Sequence, residues 1–297
     1  MVDANAVGHH LASFTFKLCA DDFGLTPAVT DGILEALSQR RLTATSAMTN
    51  RPFWRTAARR FLETSPDAEI GLHLNLTLGQ PLTAMPEFAA SGFFPSLNSV
   101  MRDSTLRRLP RAEIAAEIAA QLDAFEDAIG FPPDFVDGHQ HVHGFPQIRQ
   151  CLVTEFGRRS FAAGFWVRDS SDVLGRIVQR RVEWSKALIV RAMTRGLKPL
   201  VQSVGVRMND GFAGFSAFDS RRYYGDGFAH FLVAPGPRHL VMCHPGQVDE
   251  ELLRQESWAD CRLKERDFLL SDRFEDCLGR ADASLAFATR SHRAPAG

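Results

Sequence analysis

The chain has 297 residues, near the ceiling for one hydrophobic core, so one large domain or two small ones fit and a minimal binding module is excluded. With 45% hydrophobic and 23% charged residues, the composition is that of a globular protein rather than a disordered chain. Lys and Arg number 34 against 35 Asp and Glu, a formal net charge of -1, so no global field draws the chain onto nucleic acid.

No apolar run approaches the roughly 18 to 20 residues that cross a bilayer, and the opening MVDANAVGHHLASF lacks a cationic start and a long apolar stretch. Stable membrane insertion is not expected, and the expected location is cytoplasmic. Cys19, Cys151, Cys243, Cys261 and Cys277 are scattered with no Cys-x-x-Cys pair, which reads as buried free thiols.

In chain order, FTFKLCA (14–20) reads as the first strand. Thr26 and Pro27 then supply an N-cap and a first-turn proline, and Val29, Ile33, Leu34 and Leu37 follow at helical spacing, so a helix is expected over 27–40. EIGLHLNL (69–76) reads as a strand with Ile70, Leu72, Leu74 and Leu76 on one face and Gly71, His73 and Asn75 on the other. The clearest helix is 111–129, where Ile114, Ile118, Leu122, Phe125 and Ile129 recur at steps of four and three before Gly130.

FVDGHQHVH (135–143) starts as a strand, and HLVMCHP (239–245) is a late strand stopped by Pro245. Between them, 176–198 carries seven basic residues against Glu183 alone. It suits a basic amphipathic helix for a membrane or partner, or an outer helix packed on the sheet. Strands alternating with helical patterns are the signature of an α/β fold with a largely parallel sheet. A single domain over 12–288 is expected, with flexible termini at 1–11 and 289–297.

Candidate chemistry clusters at strand ends: Asp21 and Asp22, His73, the group His139, His141 and His143, and His244. In parallel α/β folds the carboxyl ends of different strands converge on one crevice. The acid doublet cannot point one way while the backbone stays extended, so one acid suits a cation and its neighbour a water or substrate. The doublet equally suits a helix-entry cap. The three histidines alternate with Gln140 and Val142, which places them on one face for as long as the strand continues. Imidazole with one carboxylate favours zinc-like metals over magnesium, and a His/His/Asp set leaves positions open, as a catalytic site needs.

The stretches ADDFGLTPAVTDGI (20–33), GLHLNLTLGQPL (71–82), DGHQHVHGFPQI (137–148) and MCHPG (242–246) together closely resemble the YdjC-like carbohydrate deacetylases. The resemblance spans most of residues 14–280. It implies an irregular (β/α) barrel, TIM-barrel-like, that removes acetyl groups from an N-acetylated sugar or oligosaccharide, chitooligosaccharide-like or part of a glycolipid. It also implies one divalent metal ion, Mg2+ or Zn2+, held by Asp22, His73 and His139, with Asp21 as general base and His244 as general acid. His141 and His143 are left to metal-supporting or substrate roles. Gly138 stands where a serine can precede the first histidine, and region 165–206 is longer than in compact members.

The chemistry agrees, because amide hydrolysis needs an activated water, a stabilised oxyanion and a proton for the departing amine. A rival reading is another metal-dependent hydrolase, an amidohydrolase or phosphoesterase, although those place a His-x-His pair early in the chain. A carbohydrate-binding protein is a second rival, but a binder needs neither Asp21 nor His244. Phe53, Trp54, Phe93, Phe94, Trp166, Tyr223 and Tyr224 are candidate stacking faces for sugar rings, and a homo-oligomer is compatible with the sequence.

Overall fold

The computed structural model describes residues 14–64 and 68–288; the termini expected to be flexible lie outside the described residues. Among the described residues, nine strands form one sheet: β1 (Phe14–Phe23), β2 (Ala44–Ala47), β3 (Glu69–Leu74), β4 (Phe135–Gly138), β5 (Trp166–Val167), β6 (Arg207–Met208), β7 (Phe212–Ala213), β8 (His239–Cys243) and β9 (Ala283–Leu285). Their order is β6-β5-β4-β3-β2-β1-β8-β7, with β9 added to β1, and every pairing between these strands is parallel. The sheet curls into a half-barrel with helices around it, so the expected TIM-barrel-like α/β domain is observed, open between β6 and β7.

The expected helices form, and their signals act as read. Thr26 caps Pro27–Ser38 by accepting a hydrogen bond from the Val29 N–H at 3.3 Å, a cap worth about 1 kcal/mol. Arg111–Ile129 buries Ile114, Ile118, Leu122, Phe125 and Ile129, and ends where Gly130 takes φ 85°, the left-handed cap that glycine adopts without a Cβ penalty.

Alternation along the strands sorts side chains between two layers. Leu18, Ala20, Ile70, Leu72, Leu74, Val136 and Val241 pack outward under the helices. Cys19, Ala44, Phe135, Trp166, Phe212, Leu240 and Met242 fill the inside of the curl. Gly71 is glycine because a Cβ there would lie 2.5 Å from the Phe135 ring, which stacks on Trp166 at 4.4 Å. Two residues further along the same inward faces come Asp21, Ser46, His73, Asp137 and Arg168, so a polar layer sits directly above the apolar one.

Three sequence expectations need correction. Segment 176–198 is not one helix: Leu174–Arg180, Trp184–Met193 and Leu197–Ser203 are separated where Arg181, Glu183 and Gly196 take φ of 55°, 40° and 96°. Its cations also have more partners than Glu183, since Asp172 pairs with Arg176 and with Arg180, the latter at 2.7 Å. Of the proposed stacking aromatics, Trp54 is buried against Phe125, and none of the seven lines the candidate cleft described below. The five cysteines are free and buried, as expected, and among the described residues no helix is long and apolar enough to cross a membrane.

Candidate active site

The carboxyl ends of β1, β3, β4 and β8 deliver Asp21, Asp22, His73, His139 and His244 to one cleft of about 410 Å3, a small-molecule size. Both acids of the doublet line it, although neighbours on an extended strand point apart. The backbone resolves this by leaving the extended region: Asp22 has φ 68°, and the β1–β2 register shifts between Ala20 and Phe23. Such a conformation costs about 1 to 3 kcal/mol in a non-glycine residue and persists only where surrounding bonds hold it.

Those bonds are ionic. Arg262, fully buried on the helix Ala259–Leu269, binds Asp22 Oδ2 at 2.6 Å and stacks on Trp258, 4.6 Å from the ring centre. Oδ1 of Asp22 therefore faces the imidazoles alone, with His139 Nδ1 at 2.9 Å and His73 Nε2 at 3.3 Å. Burial pushes the Asp22 carboxyl up, but Arg262 and His139 outweigh it and hold it well below the usual range.

His73 is oriented from behind. Its Nδ1 contacts Asp137 Oδ1 at 2.7 Å and Ser46 Oγ at 3.0 Å, and Ser46 also donates to Asp137. A carboxylate on the far nitrogen is the arrangement that fixes the tautomer of a metal-binding histidine. One ligand atom each from Asp22, His73 and His139 lies within 4.8 Å of the others, and all three residues are buried or nearly so. The donor set thus fits a divalent cation.

A second acidic group, Cys19, Asp21 and Asp137, is geometrically similar but already holds a cation of the chain's own. Arg168, fully buried just after β5, grips Asp21 through two bonds of 2.6 and 2.7 Å, Asp137 at 2.5 Å and Cys19 Sγ at 3.2 Å. Burial raises the Asp21 carboxyl, and Arg168 together with His73 more than offsets that, leaving it at about 2.

The same-face expectation for the three histidines does not hold. β4 stops at Gly138, and residues 139–144 wind into a 3-10 turn with Gln140 and His141 at φ 52° and 63°. The imidazoles fan apart: His139 turns to Asp22, His141 meets the edges of Phe212 and Phe215, and His143 Nε2 bonds the Arg168 carbonyl at 2.9 Å. Gly138 suits this turn, because a Cβ would come within 3.0 Å of His143 Nδ1 and the Leu74 carbonyl.

His244 lines the cleft beyond β8, between Phe218 and Trp258, with its backbone N–H on Glu265 at 2.6 Å. Burial lowers its imidazole to about 4, so it is neutral at rest, and its Nδ1 is buried with no hydrogen-bond partner.

Residues 16–280 match the family described as YdjC-like protein. The chain belongs to that family. Relatives of this YdjC-like protein include a chitooligosaccharide deacetylase of Citrobacter koseri, 31% identical over 92% of this chain and 94% of the relative. A chitooligosaccharide deacetylase of Proteus mirabilis is 30% identical over 90% and 94%. Among solved structures, an Enterococcus faecalis V583 protein described as one for cellobiose-phosphate cleavage is 23% identical, with a TM-score of 0.72 over 93% of this chain and 98% of its own, a likeness of fold.

The charge state of His73 in this YdjC-like protein gives a first test. Burial pushes the imidazole down, but Asp137 and Asp21 outweigh it and hold it up to about 10. A cation at Nε2 must displace a proton below that pH, so affinity should fall on acidification and binding near pH 8 should release about one proton. Calorimetry in two buffers of different ionisation enthalpy measures this; the absence of proton release would contradict the assignment of His73.

Proposed function

We propose that the protein is a divalent-cation-dependent hydrolase that removes acetyl groups from an N-acetylated carbohydrate. The observation that carries this reading is the meeting, in one cleft, of the Asp22, His73 and His139 donors with an arginine-clamped carboxylate, Asp21, and a neutral histidine, His244. The relatives' names support the same chemistry. Two imidazoles and one carboxylate suit a zinc-like ion better than magnesium.

When bound there, a divalent cation supplies Lewis-acid polarisation and lowers the pKa of water. Asp21 is the proton acceptor. Each of its oxygens keeps a lone pair beyond its Arg168 bond, so it can orient a water and take its proton although its own pKa is about 2. Arg168 fixes that carboxylate in place. His244 takes the proton that Asp21 has drawn from the water and passes it to the nitrogen as the C–N bond breaks, giving a free amine and acetic acid, which ionises to acetate. Phe218 and Trp258, which lie 4.1 Å apart between ring centres beside His244, offer the sugar an aromatic face.

Mass analysis of N-acetylglucosamine oligomers treated with the protein should show acetyl loss with every glycosidic bond intact; chain cleavage instead would sink the reading. His244→Ala should cost about 10²-fold or more on such amides but far less on an activated acetyl ester, whose leaving group departs without a proton. Equal losses on both would remove His244 from the acid role.

A further inference from the structure

Residues 244–247, which lead the chain out of β8, are fixed at each backbone donor. Pro245 has none, the Gly246 N–H bonds the Arg262 carbonyl at 3.1 Å, and the Gln247 N–H bonds the Ala28 carbonyl at 3.0 Å. The His244 N–H instead meets a side chain, donating to Glu265 Oε2 at 2.6 Å. Glu265 is 1% exposed and lies one turn after Arg262 on the helix Ala259–Leu269. One helix face therefore carries both the arginine on Asp22 and the carboxylate under His244. Holding a carboxylate in this place is unfavourable in itself. Burial pushes the Glu265 carboxyl up to about 7, with the His244 N–H and Arg262 drawing it back, and burial and the Glu265 charge keep the neighbouring Tyr224 phenol protonated.

The His244 imidazole has little else to aim it. No described residue bonds its buried Nδ1, and its ring meets Phe218 and Trp258 edge-on at centroid distances of 5.4 and 5.9 Å, contacts less directional than a hydrogen bond. The ring's placement follows its backbone, and Glu265 holds that backbone.

We propose that Glu265 is a positioning residue for proton delivery: by accepting the His244 N–H it keeps the imidazole within reach of the leaving nitrogen. This rests on the deacetylase reading, in which His244 is the acid. Removing the acceptor leaves that N–H unpaired and frees the segment to shift, and a displacement of about 1 Å at a reacting group costs on the order of 10²-fold. The loss should appear only where the leaving group needs a proton.

The test compares acetate release from N-acetylglucosamine oligomers with hydrolysis of p-nitrophenyl acetate, both by the full-length, Zn2+-loaded protein. Glu265→Met, similar in volume but without an acceptor, should lose about 10- to 10²-fold in kcat on the oligomers with KM within about threefold, and at most about threefold on the ester. Glu265→Gln, whose amide oxygen still accepts the N–H, should recover most of the oligomer rate. In a His244→Ala background, Glu265→Met should cost no further oligomer activity, since it acts through the missing ring. The ratio of oligomer to ester rates does not depend on how much of a sample is folded. If Glu265→Met melts early, Glu265→Asp, which withdraws the acceptor by one methylene, should lower that ratio at least about threefold. Equal losses on both substrates, an undiminished oligomer rate, or a full further loss in the His244→Ala background would overturn the positioning role. A His244→Ala protein that loses equally on the two substrates would instead overturn the acid assignment on which the proposal rests, and no acetate from the oligomers with the parent would overturn the deacetylase reading.

Discussion

Asp21→Asn should lose about 10³-fold in kcat while still binding one cation per chain, because the amide keeps the shape of the carboxylate but cannot accept the water proton. The site separates the two acids of the doublet cleanly. Arg262 and the two imidazoles engage Asp22, whereas Arg168 engages Asp21 with both guanidinium arms. Cation content by elemental analysis and kcat on the same samples decide the matter. Activity within about threefold of the parent would require another base, and loss of the cation together with activity would move Asp21 into the ligand set.

Arg168→Met should be the most destabilising single change in the cleft, by about 3 to 5 kcal/mol, because it leaves two buried carboxylates, Asp21 and Asp137, without their shared cation. The pH dependence gives the cause a signature. With Arg168 present, Asp21 titrates at about 2, below its ordinary value, so the pair's contribution is complete above about pH 4 and is lost as pH falls toward 2. Without Arg168, burial raises the Asp21 pKa with only His73 and His244 opposing it, so the folded variant binds a proton more readily than the folded parent does. Its penalty is then largest at neutral pH and shrinks on acidification. Urea unfolding of both proteins at pH 7 and pH 5 should show a smaller difference at pH 5. A difference below about 1 kcal/mol at pH 7, or one that does not move with pH, would contradict this account of the ion cluster.

The elements legible in the sequence were those set by periodicity and caps: the β1 core, the helix after Pro27, the long helix 111–129 and the late strand before Pro245. What periodicity could not carry was where the backbone breaks its own rule. Alternation along a strand predicted Asp21 and Asp22 on opposite sides and three histidines on one side. Left-handed φ at Asp22, Gln140 and His141 reversed both outcomes. These departures cost local energy and are held by long-range ion pairs, which no local window contains.

Arg168, Asp137 and Arg262 were missed for the same reason, since each acts through a partner distant in sequence; Arg262 lies 240 residues from Asp22. One signal was available. Two adjacent acids at a strand end imply buried negative charge, and the question of what neutralises it leads to arginines after other strands, such as the one following Trp166 and Val167. Asp137 also stood in view, two residues before His139 on the inward face of β4. The missed aromatics, Phe218 and Trp258, sit in loops whose path depends on the tertiary fold.

If acetyl removal happens at the Asp22, His73 and His139 centre, activity must follow the cation bound there. The most direct measurement is acetate release from an N-acetylglucosamine substrate by the parent and His139→Ala proteins, each stripped with chelator and then titrated with Zn2+ while bound metal is counted. The parent should be inactive when stripped and should regain activity in proportion to the first equivalent bound. His139→Ala should bind far less tightly and release little acetate at matched metal. Full activity in a demonstrably metal-free parent, or a His139→Ala protein that binds and hydrolyses like the parent, would contradict the account.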